Sequence, residues 1–202
     1  MPGDIVDATD YWGADPNGCP TNNVQTPRKE TCNGNGNRQV AETNTYAVVN
    51  ECYRFWQQLA DAGYIPGLFS GVSASATNAW ASAPNVNEPA GPMPNSFYGV
   101  QWIPNMTDGT SAFYNGNYGN VIEYGLSTGG GGYPLLSAKD MYAIDLKLDD
   151  GLPGTGAVRA LVPLAMPNCA TGTATTPTTA VYNLTSASTT TLACALIYVF
   201  NN

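Results

Sequence analysis

The chain contains no histidine, and only seven lysines and arginines stand against fifteen aspartates and glutamates. Without an imidazole there is no Ser–His–Asp triad, no H-E-x-x-H zinc site and no histidine general base. The few cations are nowhere clustered and the net charge is −8, so a phosphate-neutralising surface is absent. Neither nucleic acid nor an anionic membrane surface is therefore an expected direct partner. There is no C-x-x-C for a redox, zinc-ribbon or haem site, and no G-x-x-x-x-G-K-[ST] phosphate loop. Apolar runs such as Ala193 to Phe200 fall far short of the roughly 20 residues that span a bilayer. The opening Met1-Pro2-Gly3-Asp4 is no signal peptide. It reads as the start of a mature or truncated product, or of a chain whose export relies on something outside it.

Charged residues make up 11% of the 202 residues, less than half of the usual fraction of about a quarter. Polarity comes instead from Asn, Thr, Ser, Gly and Tyr. Twelve tyrosines and four tryptophans supply aromatic area that disordered segments lack. The composition is that of a folded, loop-rich, secreted surface, long enough for one domain over residues 1–202.

Five cysteines divide into two pairs and a remainder. Cys19 and Cys32 bracket a Pro- and Asn-rich loop, and Cys169 and Cys194 bracket a Thr/Ser-rich stretch from Ala170 to Ala193. Both loops are too polar to hold themselves by packing, and a bridge over the second contributes about 3 kcal/mol through loop-closure entropy. Cys52 is left over, on the apolar side of a predicted helix. A buried thiol is the plain reading, and an intermolecular bridge or a reactive thiol is the other. Paired cysteines in a low-charge chain point to an oxidising compartment.

Residues 4 to 39 read as loop, closing on Asn33-Gly34-Asn35-Gly36-Asn37. That alternation resembles the start of an EF-hand calcium loop, but it holds no anionic ligand and reads as a turn. The strongest helix runs from about Glu42 to Ala62, with Val49, Cys52, Tyr53, Trp56, Leu59 and Ala60 as its apolar stripe, Gly63 just past its end and Pro66 blocking continuation. Short strands are predicted at Phe97–Ile103 and Asn120–Gly125. A second helix starts at Ser137, where Ser137-Ala138-Lys139-Asp140 resembles a capping box, and carries Met141, Ile144 and Leu148 as its stripe. Strand candidates follow at Ala157–Leu164, Ala180–Leu184 and Ala195–Phe200. Helices before strands, without βαβ alternation, predict an α+β domain with an antiparallel sheet of short strands packed on a helix.

Three segments, in order, carry a family likeness. They are Pro2-Gly3-Asp4-Ile5 with Asp7-Ala8-Thr9-Asp10-Tyr11-Trp12-Gly13; Tyr53-Arg54-Phe55-Trp56-Gln57-Gln58-Leu59-Ala60 with Ala62-Gly63-Tyr64-Ile65-Pro66-Gly67; and Ile144-Asp145-Leu146-Lys147-Leu148-Asp149-Asp150-Gly151-Leu152-Pro153-Gly154-Thr155-Gly156. The cysteine pair ending Cys194-Ala195-Leu196-Ile197 is a fourth feature. Together they resemble the globular heads of type IV pilins and type II secretion pseudopilins. The resemblance implies a non-catalytic structural subunit of an extracellular filament or pseudopilus, at the cell surface or in the periplasm. Its partners would be other subunits of the same filament. It also implies a long hydrophobic N-terminal helix joining near Pro2-Gly3-Asp4, either in the same polypeptide or as a separate chain.

Two clusters bear on chemistry. Asp145 and Asp149 share a helical face and Asp150 adjoins them, a set of carboxylates that suits Ca²⁺, or else solvated acids capping the Gly151-Pro153-Gly154 turn. Pseudopilin-like heads include calcium-binding loops, so calcium is the one cofactor the sequence raises. The aromatics Trp80, Tyr118 and their neighbours lie among Asn and Gly, as on carbohydrate-binding surfaces, which keeps a glycan-binding adhesin as the alternative function. An acid-pair glycosidase would have Glu88, Glu123 and the Asp145 cluster to draw on, and nothing in the sequence sets two of them across a cleft.

Overall fold

The computed structural model describes residues 1–19, 26–40, 51–75, 81–109, 112–126, 133–161, 165–185 and 191–200. In chain order the elements are α1 (Ala8–Trp12), α2 (Glu51–Asp61), β1 (Ser96–Ile103), β2 (Gly119–Leu126), β3 (Leu136–Ser137), α3 (Ala138–Leu148), β4 (Val158–Arg159), a single 3₁₀ turn (Pro177–Thr179), β5 (Leu192–Cys194) and β6 (Leu196–Val199). Helices and antiparallel pairing coexist, as the α+β expectation requires. The chain separates into two compact units, Met1–Trp102 with Ser127–Gly130, and Ile103–Leu126 with Gly131–Asn202.

In the first unit α2 is the organising element. It ends as a Schellman motif: Gly63 has φ 79°, its amide donates to the Ala60 carbonyl, and the Tyr64 amide donates to Leu59. The apolar stripe is only part of what α2 buries. Cys52, Tyr53, Phe55 and Trp56 are buried, but so are Arg54, Gln57 and Gln58, while Leu59 and Ala60 are only half-buried. The sequence expectation of one apolar face therefore needs correction, because loops cover the polar side of the helix as well. The part of the predicted helix before Glu51 lies outside the described residues. The segment expected to be loop also contains α1, a five-residue turn of helix.

In the second unit β2, β6 and β4 are neighbours in that order, with β6 antiparallel to both. Val121, Glu123, Ile197 and Val199 point to one face and are buried. A second pair, β3 with β5, leads directly into α3, which packs against β3, β4 and β5. Ser137 caps α3 as expected: its Oγ accepts from the Asp140 amide at 3.1 Å and donates to the Asp140 carboxylate at 2.6 Å. The stripe differs from expectation. Ala138, Met141 and Asp145 are the buried positions of α3, and Leu148 is 64% exposed. Of the five predicted strands, those around 97–103, 120–125 and 195–200 are present. The one at Ala157–Leu164 shortens to β4 among its described residues. Ala180–Leu184 forms only an isolated bridge, Tyr182 with Ala170.

Both cysteine pairs are disulfides, Cys19–Cys32 and Cys169–Cys194, with Cα separations of 6.0 and 5.0 Å. Cys194 ends β5 one residue before β6, so the second bridge ties the Thr-rich loop to that strand junction. Cys52 lies outside both bridges, fully buried, with its Sγ 3.6 Å from the Val40 carbonyl.

Gln57 offers the sharpest test of this architecture. Its Nε2 serves the carbonyls of Arg28, Glu30 and Phe69, and its Oε1 accepts from Arg54 and Thr31. Gln57→Leu keeps the volume but removes all five bonds; the Arg28 and Glu30 carbonyls lose the partner it gives them, while Arg54 keeps Asp15 and the Phe69 carbonyl keeps the Arg28 amide. It is expected to cost about 3 kcal/mol in denaturant unfolding, where an ordinary exposed-glutamine substitution costs almost nothing.

Candidate functional site

The N-terminal segment is built into the first unit rather than trailing from it. Gly3 adopts φ 80°, and a Cβ there would collide with the Glu51 carbonyl of α2, so only glycine allows this approach. Its amide donates to Gln58 Oε1 at 2.6 Å. Asp4 is 3% exposed, and its two oxygens accept from the amides of Gly36 and Arg38 at 2.5 and 2.6 Å. Gly36 and Arg38 both lie in the left-handed region, at φ 76° and 66°, which turns their N–H groups onto the carboxylate. The Gly34 amide donates to Ile5, and Asn33 Oδ1 accepts from the Thr9 amide. Asn35 and Asn37 bond the amides two residues on, so the alternating asparagines form Asx turns, as the turn reading expects.

Behind this junction lies a buried charge network. Asp15 pairs with Arg54 at 2.9 Å and with Arg28 at 3.1 Å. Burial pulls the Arg54 pKa down, and the hydrogen bond and charge of Asp15 push it back up. Asp61 ends α2 with both carboxylate oxygens buried and, among the described residues, without a donor. Desolvation pushes its pKa up to about 7, against the opposing pull of Lys29 and Arg54 and with a further push from Glu30. In the sequence Arg54, Gln57 and Gln58 stand out only as part of the family likeness, and Asp61 does not stand out at all. The available signal was a second, polar stripe at i, i+3, i+4 and i+7 on the same helix.

The structure brings the predicted acidic cluster together in the second unit: ligand oxygens of Asp145, Asp149 and Asp150 lie within 4.8 Å of one another. Protein donors already reach each of them. Asp145, fully buried, accepts from the Gly151 amide at 3.0 Å and the Tyr182 hydroxyl at 2.7 Å. Asp149 accepts from the amides of Ala157 and Val158, and Asp150 from the Leu152 amide and the Thr155 hydroxyl. The acids thus fold the 149–158 loop back onto the end of α3. Burial raises the Asp145 pKa to about 6, with Asp149 and Asp150 adding to it and the bonds from Tyr182 and Gly151 opposing it. Burial, then the Asp145 bond, also raises the Tyr182 pKa.

The remaining candidates are placed differently. Tyr118 is 2% exposed, its hydroxyl donates to the Tyr114 carbonyl, and the Arg159 guanidinium lies 4.4 Å from its ring centre. It is a core residue, because a stacking platform for sugar needs a ring face open to solvent. Trp80 lies outside the described residues. Glu88 and Glu123 are both buried, one in each unit. No family model, curated protein or solved structure matches the chain. Two disulfides are consistent with an oxidising, extracellular or periplasmic setting. Among the described residues no helix is long and apolar enough to cross a membrane.

Two measurements follow from this geometry. Asp149→Ala removes the acceptor of two amides and is expected to lower stability by about 2 kcal/mol. The loss should be equal in chelator and in excess calcium if the carboxylate acts on the loop alone, whereas a loss confined to calcium-loaded protein would assign Asp149 to a metal. Asp61 binds its proton more tightly in the folded chain than at its ordinary value of 3.8. Its contribution to stability is therefore complete below that value and lost as the pH rises through about 7. Asp61→Asn should raise stability near pH 8 and flatten the pH profile between those limits, by less than the full shift implies because solvent screens this part-exposed carboxyl, read from melting temperatures across pH.

Proposed function

We propose that this chain is the non-catalytic head of an extracellular filament subunit of the type IV pilus or pseudopilus kind. The observation that carries the reading is the clamped N-terminal junction. In a filament subunit the head hangs from its hydrophobic helix at that point, and tension on one must reach the other. A junction held by Gly3 on Gln58, by Asp4 on two amides and by Ile5 on Gly34 is suited to transmitting that load, because the chain is fixed to the fold from Gly3 onward. The two disulfides and the α+β architecture agree with the resemblance of the sequence segments. A low-charge, hydroxyl-rich surface agrees with a structural role outside the cell.

In this reading the partners are neighbouring heads and a hydrophobic helix entering at Pro2-Gly3, from the same polypeptide or from another chain. The glycan-binding alternative gains no exposed ring from Tyr118. The reading is tested by shearing filaments from the surface of the source cells, identifying their subunits by mass spectrometry and labelling them with antibody to this chain. Continuous labelling along filaments is expected. Finding the chain only as soluble protein in the medium or periplasm, with unlabelled filaments, would overturn the proposal.

A further inference from the structure

The two disulfides differ in what surrounds their ends. Cys169 and Cys194 are both fully buried. Backbone bonds hold each of them: the Cys169 carbonyl accepts from the Asn183 amide at 2.9 Å, and the Cys194 carbonyl from the Leu135 amide at 2.8 Å. In the first unit Cys19 is exposed, while its partner Cys32 is buried. Cys52 is fully buried, so of the five cysteines Cys19 is the one that faces solvent. The chain around the first bridge is also closed without it. The Thr31 amide donates to the Gly13 carbonyl and the Asp15 amide to the Thr31 carbonyl, both at 2.9 Å. Asp15 pairs with Arg28 and Arg54, Gln57 holds the Arg28 and Glu30 carbonyls, and Gln58 holds the Cys32 carbonyl at 3.2 Å. These contacts fix residues 13–15 and 28–32 whether or not the sulfurs are joined.

We infer that Cys19–Cys32 is a thiol-exchange site that works in the folded protein, and that the partner it fits is a dithiol of the kind carried by a thiol–disulfide oxidoreductase. Exchange is an attack by a thiolate on a disulfide sulfur, and access to that sulfur limits its rate. The partner's thiolate attacks Cys19 Sγ. A bond forms between these two sulfurs, the Cys19–Cys32 bond breaks, and its electron pair leaves on Cys32 Sγ, which takes a proton from water. The partner's second thiolate then attacks the partner's own sulfur in the mixed disulfide and expels Cys19 as a thiolate. The partner ends oxidised to a disulfide and the chain reduced to two thiols. Run backwards, the same steps close the bridge. Cys169–Cys194 takes no part, because a thiolate reaches it only after the second unit opens. The intermolecular link that the sequence raised for Cys52 is closed to that buried thiol, and open to Cys19 through its mixed disulfide. None of this depends on the filament reading.

The test is native-state reduction of the full chain by dithiothreitol. Samples are acid-quenched over time, then denatured and alkylated, so that peptide mass spectrometry locates each opened cysteine. Cys19 and Cys32 are expected to open about tenfold sooner than Cys169 and Cys194, or faster still. Their rate should be proportional to dithiothreitol and unchanged by denaturant below the unfolding transition. The singly reduced chain should keep the circular dichroism spectrum of the native protein, with a lowered melting temperature. As a second measurement, folded Cys32→Ser should react with Ellman's reagent at Cys19, whereas Cys19→Ser should leave Cys32 and Cys52 unreactive until denatured. Both bridges opening together, or the first opening only as fast as the chain unfolds, would overturn the inference. Loss of the native spectrum on reducing the first bridge alone would do the same, as would a Cys19 thiol no more reactive than Cys52.

Discussion

The first unit depends on a side-chain amide that never meets solvent. Gln57 is fully buried, yet it is among the most polar groups available to a helix. It can be there only because every hydrogen-bonding site it has is used: three loop carbonyls on its nitrogen, a guanidinium and a hydroxyl on its oxygen. The net gain from those bonds is modest, since water would have made them too. The cost of leaving any one unmade in the interior is larger. That asymmetry makes Gln57 a specificity device. The loops at 28–31 and 69 have one arrangement in which their carbonyls are satisfied, and this residue dictates it. Arg54 and Gln58 extend the arrangement to Asp15 and to Gly3, so the N-terminal junction inherits its rigidity from α2.

The second unit uses the same device with a different group. Asp145 takes a core position on α3 that periodicity would give to a leucine, and holds Gly151 and Tyr182 with its two oxygens. Its neighbours Asp149 and Asp150 fold the following loop by accepting amides. In both units a helix brackets long irregular segments through buried polar side chains, and a disulfide closes the same loop those side chains reach: Gln57 meets Arg28 and Glu30 inside the Cys19–Cys32 loop, and Asp145 meets Tyr182 inside the Cys169–Cys194 loop. The strategy suits a chain poor in charge and rich in Gly, Asn and Thr, whose loops carry too little apolar surface to anchor themselves.

This strategy also sets what could be read from the sequence. The end of α2 was legible because Gly63 and Pro66 act locally, and so was the cap of α3 at Ser137. The strands around 97–103, 120–125 and 195–200 were legible from short aromatic and β-branched runs. The two disulfides followed from cysteines that bracket polar loops. The stripes were only half legible. Leu148 looks apolar and is exposed, while Asp145 looks solvated and is buried, because periodicity registers hydrophobicity and not the donors waiting across the fold. Tyr118 sat among glycines and asparagines that suggested an open surface, and is packed under Arg159 instead.

The sequence by itself determined composition, charge balance, disulfide pairing, and where helices stop. These depend on residues close in the chain or on simple counts. It also excluded histidine-dependent chemistry outright. Only the tertiary structure decided that Gly3 and Asp4 are clamped, that the polar side of α2 is interior, and that Asp145 takes a core position on α3. Each of these depends on partners far away in sequence: Gly3 to Gln58, Asp15 to Arg54, Asp145 to Tyr182. A hydrogen bond of that kind leaves no periodic trace, because its donor and acceptor are set by distance in space and not by position along the chain.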